Sequence, residues 1–87
     1  MSETRTAADI VATVTDLIAT EFGRPAAELT PDLDLTAVEG ADSVKVLRAV
    51  ARIEREFDVE LEDDQVFGFK TVRDVAGAVS GLLGRQG

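Results

Sequence analysis

The sequence predicts an all-α fold, a small four-helix bundle with three main helices, one short helix and a long loop between helices 1 and 2. Apolar residues recur at intervals of three and four in three separate segments, which is the period of an amphipathic helix. The aromatic residues are four Phe with no Trp or Tyr, so aliphatic residues and Ala, which suit helices, form most of the core. Residues 58–64 alternate acidic and apolar side chains, as a β-strand would, but the sequence offers no second strand with which they could pair.

Composition excludes several classes of site. The chain has 87 residues, 45% of them hydrophobic, so we expect a single domain over residues 1–87 with frayed tails at 1–5 and 84–87. It contains no Cys and no His, which excludes a disulfide framework, a thiolate metal site and a Ser-His-Asp triad. No other nucleophile is paired with a base, so we predict neither catalytic nor metal-binding residues.

The charge and hydropathy patterns restrict the partners. The net charge is −8, which argues against nucleic acid because phosphates would be repelled. No stretch of about 18 apolar residues could span a membrane, and the first residues lack the basic start and apolar run of a signal peptide. We therefore expect a monomeric, cytoplasmic protein whose partners are other proteins.

The first helix is predicted to begin at a capping residue, Thr6, with Asp9 three residues later in the position of a capping box. Gly23 supplies the C-terminal stop. The core face of this helix is formed by Ile10, Val14, Leu17 and Ile18, with Val11 and Phe22 at its edge.

A long connection, residues 24–42, follows and contains both prolines, Pro25 and Pro31. Loops of this length are uncommon in compact domains and are often functional. The segment from Pro25 to Glu28 is expected to form a short helical turn. Spaced apolar residues predict that the loop is held against the core; they are Leu29, Leu33, Leu35 and Val38.

The second helix is predicted from Ser43 to about Phe57. Its core stripe consists of Val46, Val50, Ile53 and Phe57. Either Asp42 or Ser43 could be the N-cap. If Asp42 caps, Ser43 becomes the first helical residue and its hydroxyl points outward, where the helix N-terminus would favour an anion such as a phosphate ester. The Asp-Ser pair considered alone favours an ordinary helix start.

The stretch at residues 58–64 is interpreted as an extended connection with Val59 and Leu61 facing inward and the acidic residues solvated. A short helix near residues 63–67 is expected to point Val66 and Phe67 inward and to end at Gly68.

The last helix is predicted to begin after Thr71, a cap with Asp74 three residues later, and to end at Gly84. Gly77 and Gly81 weaken it. Its core face consists of Val72, Val75, Ala76, Val79, Leu82 and Leu83.

Three motifs resemble the acyl carrier protein family, which includes the peptidyl carrier domains. They are Gly40-Ala41-Asp42-Ser43-Val44 at the start of the second helix, RIEREFDVELEDD at its end, and FKTVRDVAGAV before the last helix. The likeness covers residues 40–79 closely and the whole chain loosely. It implies the acyl-carrier type of bundle and an attachment point at Ser43 for 4′-phosphopantetheine, which a phosphopantetheinyl transferase takes from coenzyme A. It also implies that Asp42 places the helix and meets the transferase and its Mg²⁺.

The sequence departs from the family pattern in two places. Glu39 precedes the motif glycine Gly40, where members usually have an aliphatic residue, so Val38 is expected to fill that pocket. The second helix carries four basic and two acidic side chains, a net +2, which leaves −10 for the rest of the chain, whereas fatty-acid members are acidic there.

We interpret the basic residues as part of a surface for partner enzymes. The surface consists of Lys45, Arg48, Arg52 and Arg55, with Val44, Leu47 and Ala51 as apolar contacts. The alternative is a solvated face with local pairs such as Arg52 with Glu56.

The expected function is therefore a discrete acyl carrier protein of polyketide or other specialised biosynthesis. It would hold acyl intermediates as thioesters on phosphopantetheine and present them to acyl-loading and acyl-processing enzymes. The alternatives are a peptidyl (aminoacyl) carrier protein of a nonribosomal peptide pathway, and a helical protein-binding module that is never modified.

Overall fold

The computed structural model describes residues 6–38 and 41–86, with side chains in the last helix described as far as Gly84. These residues form no strand, and four α-helices and two short 3₁₀ turns make up the regular structure. The helices are α1 (Ala7–Phe22), α2 (Ser43–Phe57), α3 (Asp63–Gly68) and α4 (Val72–Gln86), and the turns are Ala26–Glu28 and Leu35–Ala37. The predicted all-α architecture, including the short third helix and the turn after Pro25, is confirmed.

Both ends of α1 are fixed by the residues that the sequence indicates. Thr6 Oγ1 accepts a hydrogen bond from Asp9 N at 3.1 Å, and Thr6 N donates to the Asp9 carboxylate at 3.3 Å. Gly23 follows the helix with φ 69°, a left-handed conformation that glycine adopts without steric cost. Its N–H donates to carbonyl groups of the last turn, so the predicted stop is confirmed.

The core forms where α1 packs against both α2 and α4. Its most fully buried side chains are Val14, Ile53, Val72 and Val79. The predicted core faces are confirmed at most positions, although Leu17, Val46, Leu82 and Leu83 are only half-buried. Ala49, which the predicted stripe omits, is buried.

The long loop between α1 and α2 is held against the core, as predicted. Leu29 and Leu35 are buried, and Leu33 and Val38 pack half-buried against the same cluster. Leu35 N also donates to Lys70 O at 2.7 Å, which ties the loop to the segment before α4. The 3₁₀ turn at Leu35–Ala37, capped by the carboxylate of Asp34, is not predicted from the sequence.

The connection from α2 to α3 is partly as expected. Val59 and Leu61 are buried and Val66 is half-buried. Phe67, however, is 83% exposed, so the prediction that it points inward is wrong. Phe69 packs half-buried against the core instead. Val66 and Phe69 lie three residues apart on one side, and this rotation of α3 leaves Phe67 on the other.

The last helix begins as predicted and ends later. Thr71 Oγ1 accepts from Asp74 N at 3.1 Å, and Asp74 accepts from Thr71 N at 3.2 Å. The helix continues to Gln86, so the predicted end at Gly84 is wrong. A glycine stops a helix when it adopts positive φ, and among the described glycines only Gly23 does so.

The expectations for Glu39, Gly40 and residues 1–5 concern positions outside the described residues.

Candidate functional site

The candidate site lies at the N-terminus of α2, where Asp42 and Ser43 have different roles. Asp42 is extended, with φ −152° and ψ 169°, and its Oδ1 accepts a hydrogen bond from Lys45 N at 2.8 Å. Asp42 is therefore the N-cap. Ser43 is the first residue of the helix and is exposed.

The Ser43 hydroxyl is not used by the fold. Within residues 6–38 and 41–86, neither the capping interactions nor any other hydrogen bond involves Ser43 Oγ. The hydroxyl stands on the first turn of a 15-residue helix, whose free N–H groups and dipole favour an anion. This position fits a serine that carries a phosphodiester.

An apolar cavity of about 370 Å³ opens beside Ser43. Ser43 and Asp42 form part of its lining, and Leu47 and Phe67 belong to the same lining although both side chains are largely exposed. We therefore place Leu47 and Phe67 at the mouth of the cavity. Its inner wall includes Ile18, Val46, Val50, Ile53, Phe69 and Val75.

The surface around Ser43 carries a cluster of exposed apolar side chains. Val44 is 56% exposed, Leu47 57% and Phe67 83%, and these are the large apolar residues that the described part of the chain leaves exposed. Val44 and Leu47 are expected as partner contacts, whereas sequence reasoning misses Phe67. The sequence carries no signal for this exposure, because a helix of six residues is too short for its apolar period to define a face.

The basic residues of α2 do not form a uniform stripe. Arg48, Arg52 and Arg55 are exposed, as is Ala51, whereas Lys45 is half-buried. Arg52 Nε lies 3.2 Å from Glu21 Oε2 of α1. This ion pair of Arg52 therefore links α2 to α1.

Three basic side chains of α2 remain without such a partner. In the part of the chain that the structure describes, no ion pair forms at Lys45, Arg48 or Arg55. These three residues therefore carry the basic charge that α2 leaves available to another molecule.

The carboxylates with altered pKa values belong to the long loop and to α4, not to α2. The Arg73 guanidinium lowers the pKa of Asp32, the Thr36 hydroxyl lowers that of Asp34, and the N–H of Lys70 lowers that of Asp74. All three carboxylates belong to the junction between the long loop and α4.

Two other kinds of site are absent from residues 6–38 and 41–86. No three Asp or Glu side chains there are grouped so that they could hold a metal ion. No described helix combines the length and the apolar character needed to cross a membrane.

The comparison with known proteins decides the family. A family profile described as "Phosphopantetheine attachment site" matches residues 12–79. The chain belongs to the acyl carrier protein family. Members of this family are carriers rather than enzymes, and they bear a covalently attached 4′-phosphopantetheine.

Curated relatives agree with this assignment. An acyl carrier protein of Exiguobacterium sibiricum is 36% identical over 70 residues, which cover 80% of this chain and 89% of the relative. Acyl carrier protein 2 of Pseudomonas aeruginosa is 37% identical over 65 residues, which cover 75% of this chain and 82% of the relative.

Solved structures share the fold. An acyl carrier protein from Enterococcus faecalis, described for its high thermal stability, superposes with a TM-score of 0.73 at 25% identity and covers 88% of this chain and 98% of its own. The HMG-ACPI domain of the CurA module from Lyngbya majuscula gives a TM-score of 0.80 at 12% identity over 100% of this chain and 88% of its own. The second likeness shows the fold alone.

Proposed function

We propose that Ser43 is the residue to which 4′-phosphopantetheine is attached. The observation that carries this proposal is the division of roles at the start of α2. Asp42 provides the N-cap through Oδ1, so the exposed Ser43 hydroxyl is available to a phosphopantetheinyl transferase. In the attached form, the terminal thiol of the arm would hold an acyl group as a thioester.

The attachment reaction uses the Ser43 oxygen as the nucleophile. A bond forms between Oγ and the phosphorus of coenzyme A that bears the pantetheine, and the pyrophosphate bond breaks. Adenosine 3′,5′-bisphosphate leaves, and the serine proton passes to a base of the transferase. The N-terminal N–H groups of α2 would stabilise the phosphodiester charge, and the Asp42 carboxylate would contact the transferase and its Mg²⁺.

The proposed pathway is polyketide or other specialised biosynthesis, in which the chain works as a monomer in the cytoplasm. The support is the positive charge of α2. Lys45, Arg48 and Arg55 stand beside Val44 and Leu47 without ion pairs among the described residues. Charges on a docking surface select partners by attraction and by repulsion, so this face suits enzymes with acidic docking surfaces.

The attachment is tested by intact-protein mass spectrometry after incubation with coenzyme A and a broad-specificity transferase. Wild type is expected to gain one phosphopantetheine and Ser43→Ala none. Ser80→Ala, at the exposed serine of α4, is the matched control and should gain one. Modification of Ser43→Ala, or none of wild type where an authentic carrier is fully modified, would overturn the assignment and favour an unmodified binding module.

The cargo is tested on protein isolated from cells that produce it. Mass spectrometry of the released pantetheine arm is expected to show an acyl group other than the homologous series of saturated fatty acids. Such a series would contradict the specialised pathway, and an aminoacyl group would identify a peptidyl carrier.

A further inference from the structure

Residues 33–38 of the long loop separate two spaces. On one side, Leu35 and Thr36 belong to the wall of the cavity beside Ser43. On the other side lies a groove of about 350 Å³, lined by Arg24, Glu28, Leu29, Leu33, Ala37 and Val38. Among the described residues the two linings share none, so this part of the loop is a partition between them.

Little within the loop holds the partition in place. Leu35 is the one buried side chain of residues 30–38, and Leu33 and Val38 are half-buried. The 3₁₀ turn at Leu35–Ala37 is closed by hydrogen bonds within the loop itself. A segment with few buried apolar contacts opens at a smaller free-energy cost than the whole fold.

The contacts that close the partition come from the start of α4. Leu35 N donates to Lys70 O at 2.7 Å. The Arg73 guanidinium binds both carboxylate oxygens of Asp32, at 2.7 and 3.1 Å. Arg73 N lies in the first turn of α4, where N–H groups have no acceptor within the helix, and it donates to Pro31 O at 3.1 Å. Together these contacts form a strap between the loop and α4.

We propose that the strap is a latch that sets the apolar space beside Ser43. With the strap closed, Leu35 completes the cavity wall. With the strap released, Leu35 leaves the core and the cavity becomes continuous with the groove, while α1, α2 and α4 keep their packing. An apolar group too large for the cavity would select this sparsely populated open form. The latch belongs to the unmodified chain, so it stands or falls separately from attachment at Ser43.

Amide hydrogen exchange in the unmodified protein tests the local opening. The amides of Leu35 and Arg73 donate across the strap. They are expected to exchange faster than the amides of Ile53 and Val79 in the core, and with a shallower dependence on urea, because less surface is exposed. The same urea dependence at all four amides would mean that the strap opens only when the whole protein unfolds, and would refute the latch.

Two substitutions distinguish local from global opening. Asp32→Asn removes the ionic part of the strap and is expected to accelerate exchange of the Leu35 amide about threefold. Thr6→Ala is the control, because Thr6 caps α1 about 18 Å along the helix from Ile18, the residue of α1 that lines the cavity. It should accelerate exchange of the Ile53 amide about fivefold through global unfolding and leave the Leu35 amide unchanged. Acceleration of the Leu35 amide by Thr6→Ala would identify global unfolding as its route and would refute the latch.

A thiol in the cavity wall tests whether the strap controls the cavity. The chain has no Cys, so Val75→Cys places a single thiol in the lining, and Val79→Cys places one at a buried position outside it. Adding Asp32→Asn should accelerate maleimide labelling at position 75 about threefold. Adding Thr6→Ala should accelerate labelling at position 79 alone.

The labelling rates have a second possible outcome. A rate at position 75 that ignores Asp32→Asn would mean that the reagent enters only by the mouth beside α3, and would refute control by the strap. Circular dichroism establishes that each variant is folded, and the exchange measurement on wild type needs no variant.

Discussion

Arg73, in the first turn of α4, binds the side chain of Asp32 in the long loop, 41 residues earlier. The contact is bidentate, from Nε to Oδ1 at 2.7 Å and from Nη2 to Oδ2 at 3.1 Å. Arg73 N also donates to Pro31 O at 3.1 Å, so side chain and main chain fix the same segment. The ion pair helps to hold the loop that leads to Ser43.

This contact predicts a pH-dependent contribution to stability. Hydrogen bonding to Arg73 lowers the pKa of Asp32 in the folded state. The stabilisation is thus present above the unfolded pKa of about 3.9 and is lost as pH falls through the lower folded pKa. Asp32→Asn should lower Tm modestly at pH 7, and the difference from wild type should shrink below about pH 4.

Thermal unfolding across pH measures this difference. Asp16→Asn, at an exposed carboxylate of α1, is the control, and its difference from wild type should change less with pH. A difference for Asp32→Asn that stays constant from pH 7 to pH 2 would contradict the proposed contribution of the ion pair.

Two glycines of α4 are expected to be suboptimal for stability. A Cβ at Gly77 or Gly81 would meet no atom within 4 Å, and alanine is the better helix former by about 1 kcal/mol. Gly77→Ala and Gly81→Ala should each raise the free energy of unfolding by up to that amount in urea titrations.

Gly23 supplies the contrasting control. An alanine there would also meet no atom within 4 Å, but φ is 69°, so Gly23→Ala should destabilise by about 1 kcal/mol. If all three substitutions changed the free energy of unfolding in the same direction, backbone conformation would not be what determines the effect of alanine at these glycines.

The two proposed roles of Asp42 can be separated by substitution. Asp42→Ala removes the acceptor for Lys45 N and should lower the free energy of unfolding by about 1 kcal/mol, whereas Asp42→Asn keeps a cap of similar strength. If the carboxylate also meets the Mg²⁺ of the transferase, Asp42→Asn should slow modification of Ser43 without loss of stability. Equal rates for wild type and Asp42→Asn would restrict Asp42 to capping.

Glu54 is predicted to stabilise the chain beyond α2. Its Oε2 accepts a hydrogen bond from Leu61 N at 2.7 Å, across seven residues. Glu54→Ala would leave that N–H without its acceptor and should cost about 1 kcal/mol. Glu54→Gln retains a side-chain oxygen and should cost less, which urea denaturation measures. Equal losses of stability in Glu54→Ala and Glu54→Gln would show that the hydrogen bond to Leu61 N is not the cause of the destabilisation.

The sequence by itself determined the features that depend on neighbouring residues. The caps at Thr6, Asp42 and Thr71 each involve an N–H three residues ahead, so a short segment contains both partners. The core faces of α1, α2 and α4 are similarly visible, because a helical period repeats within one element. At the start of α2 these local signals left Asp42 and Ser43 as alternative N-caps, and the hydrogen bond from Lys45 N to Asp42 Oδ1 identifies Asp42 as the cap.

Only the tertiary structure decided which distant groups meet. The Arg52 contact with Glu21 depends on how α1 packs beside α2, and the contact between Asp32 and Arg73 depends on the path of the loop. The exposure of Phe67 depends on the rotation of α3, a helix of six residues. α3 has only about one and a half turns, too few positions for periodicity to define a face. Contacts with the rest of the fold therefore turned Phe69 inward and Phe67 toward solvent.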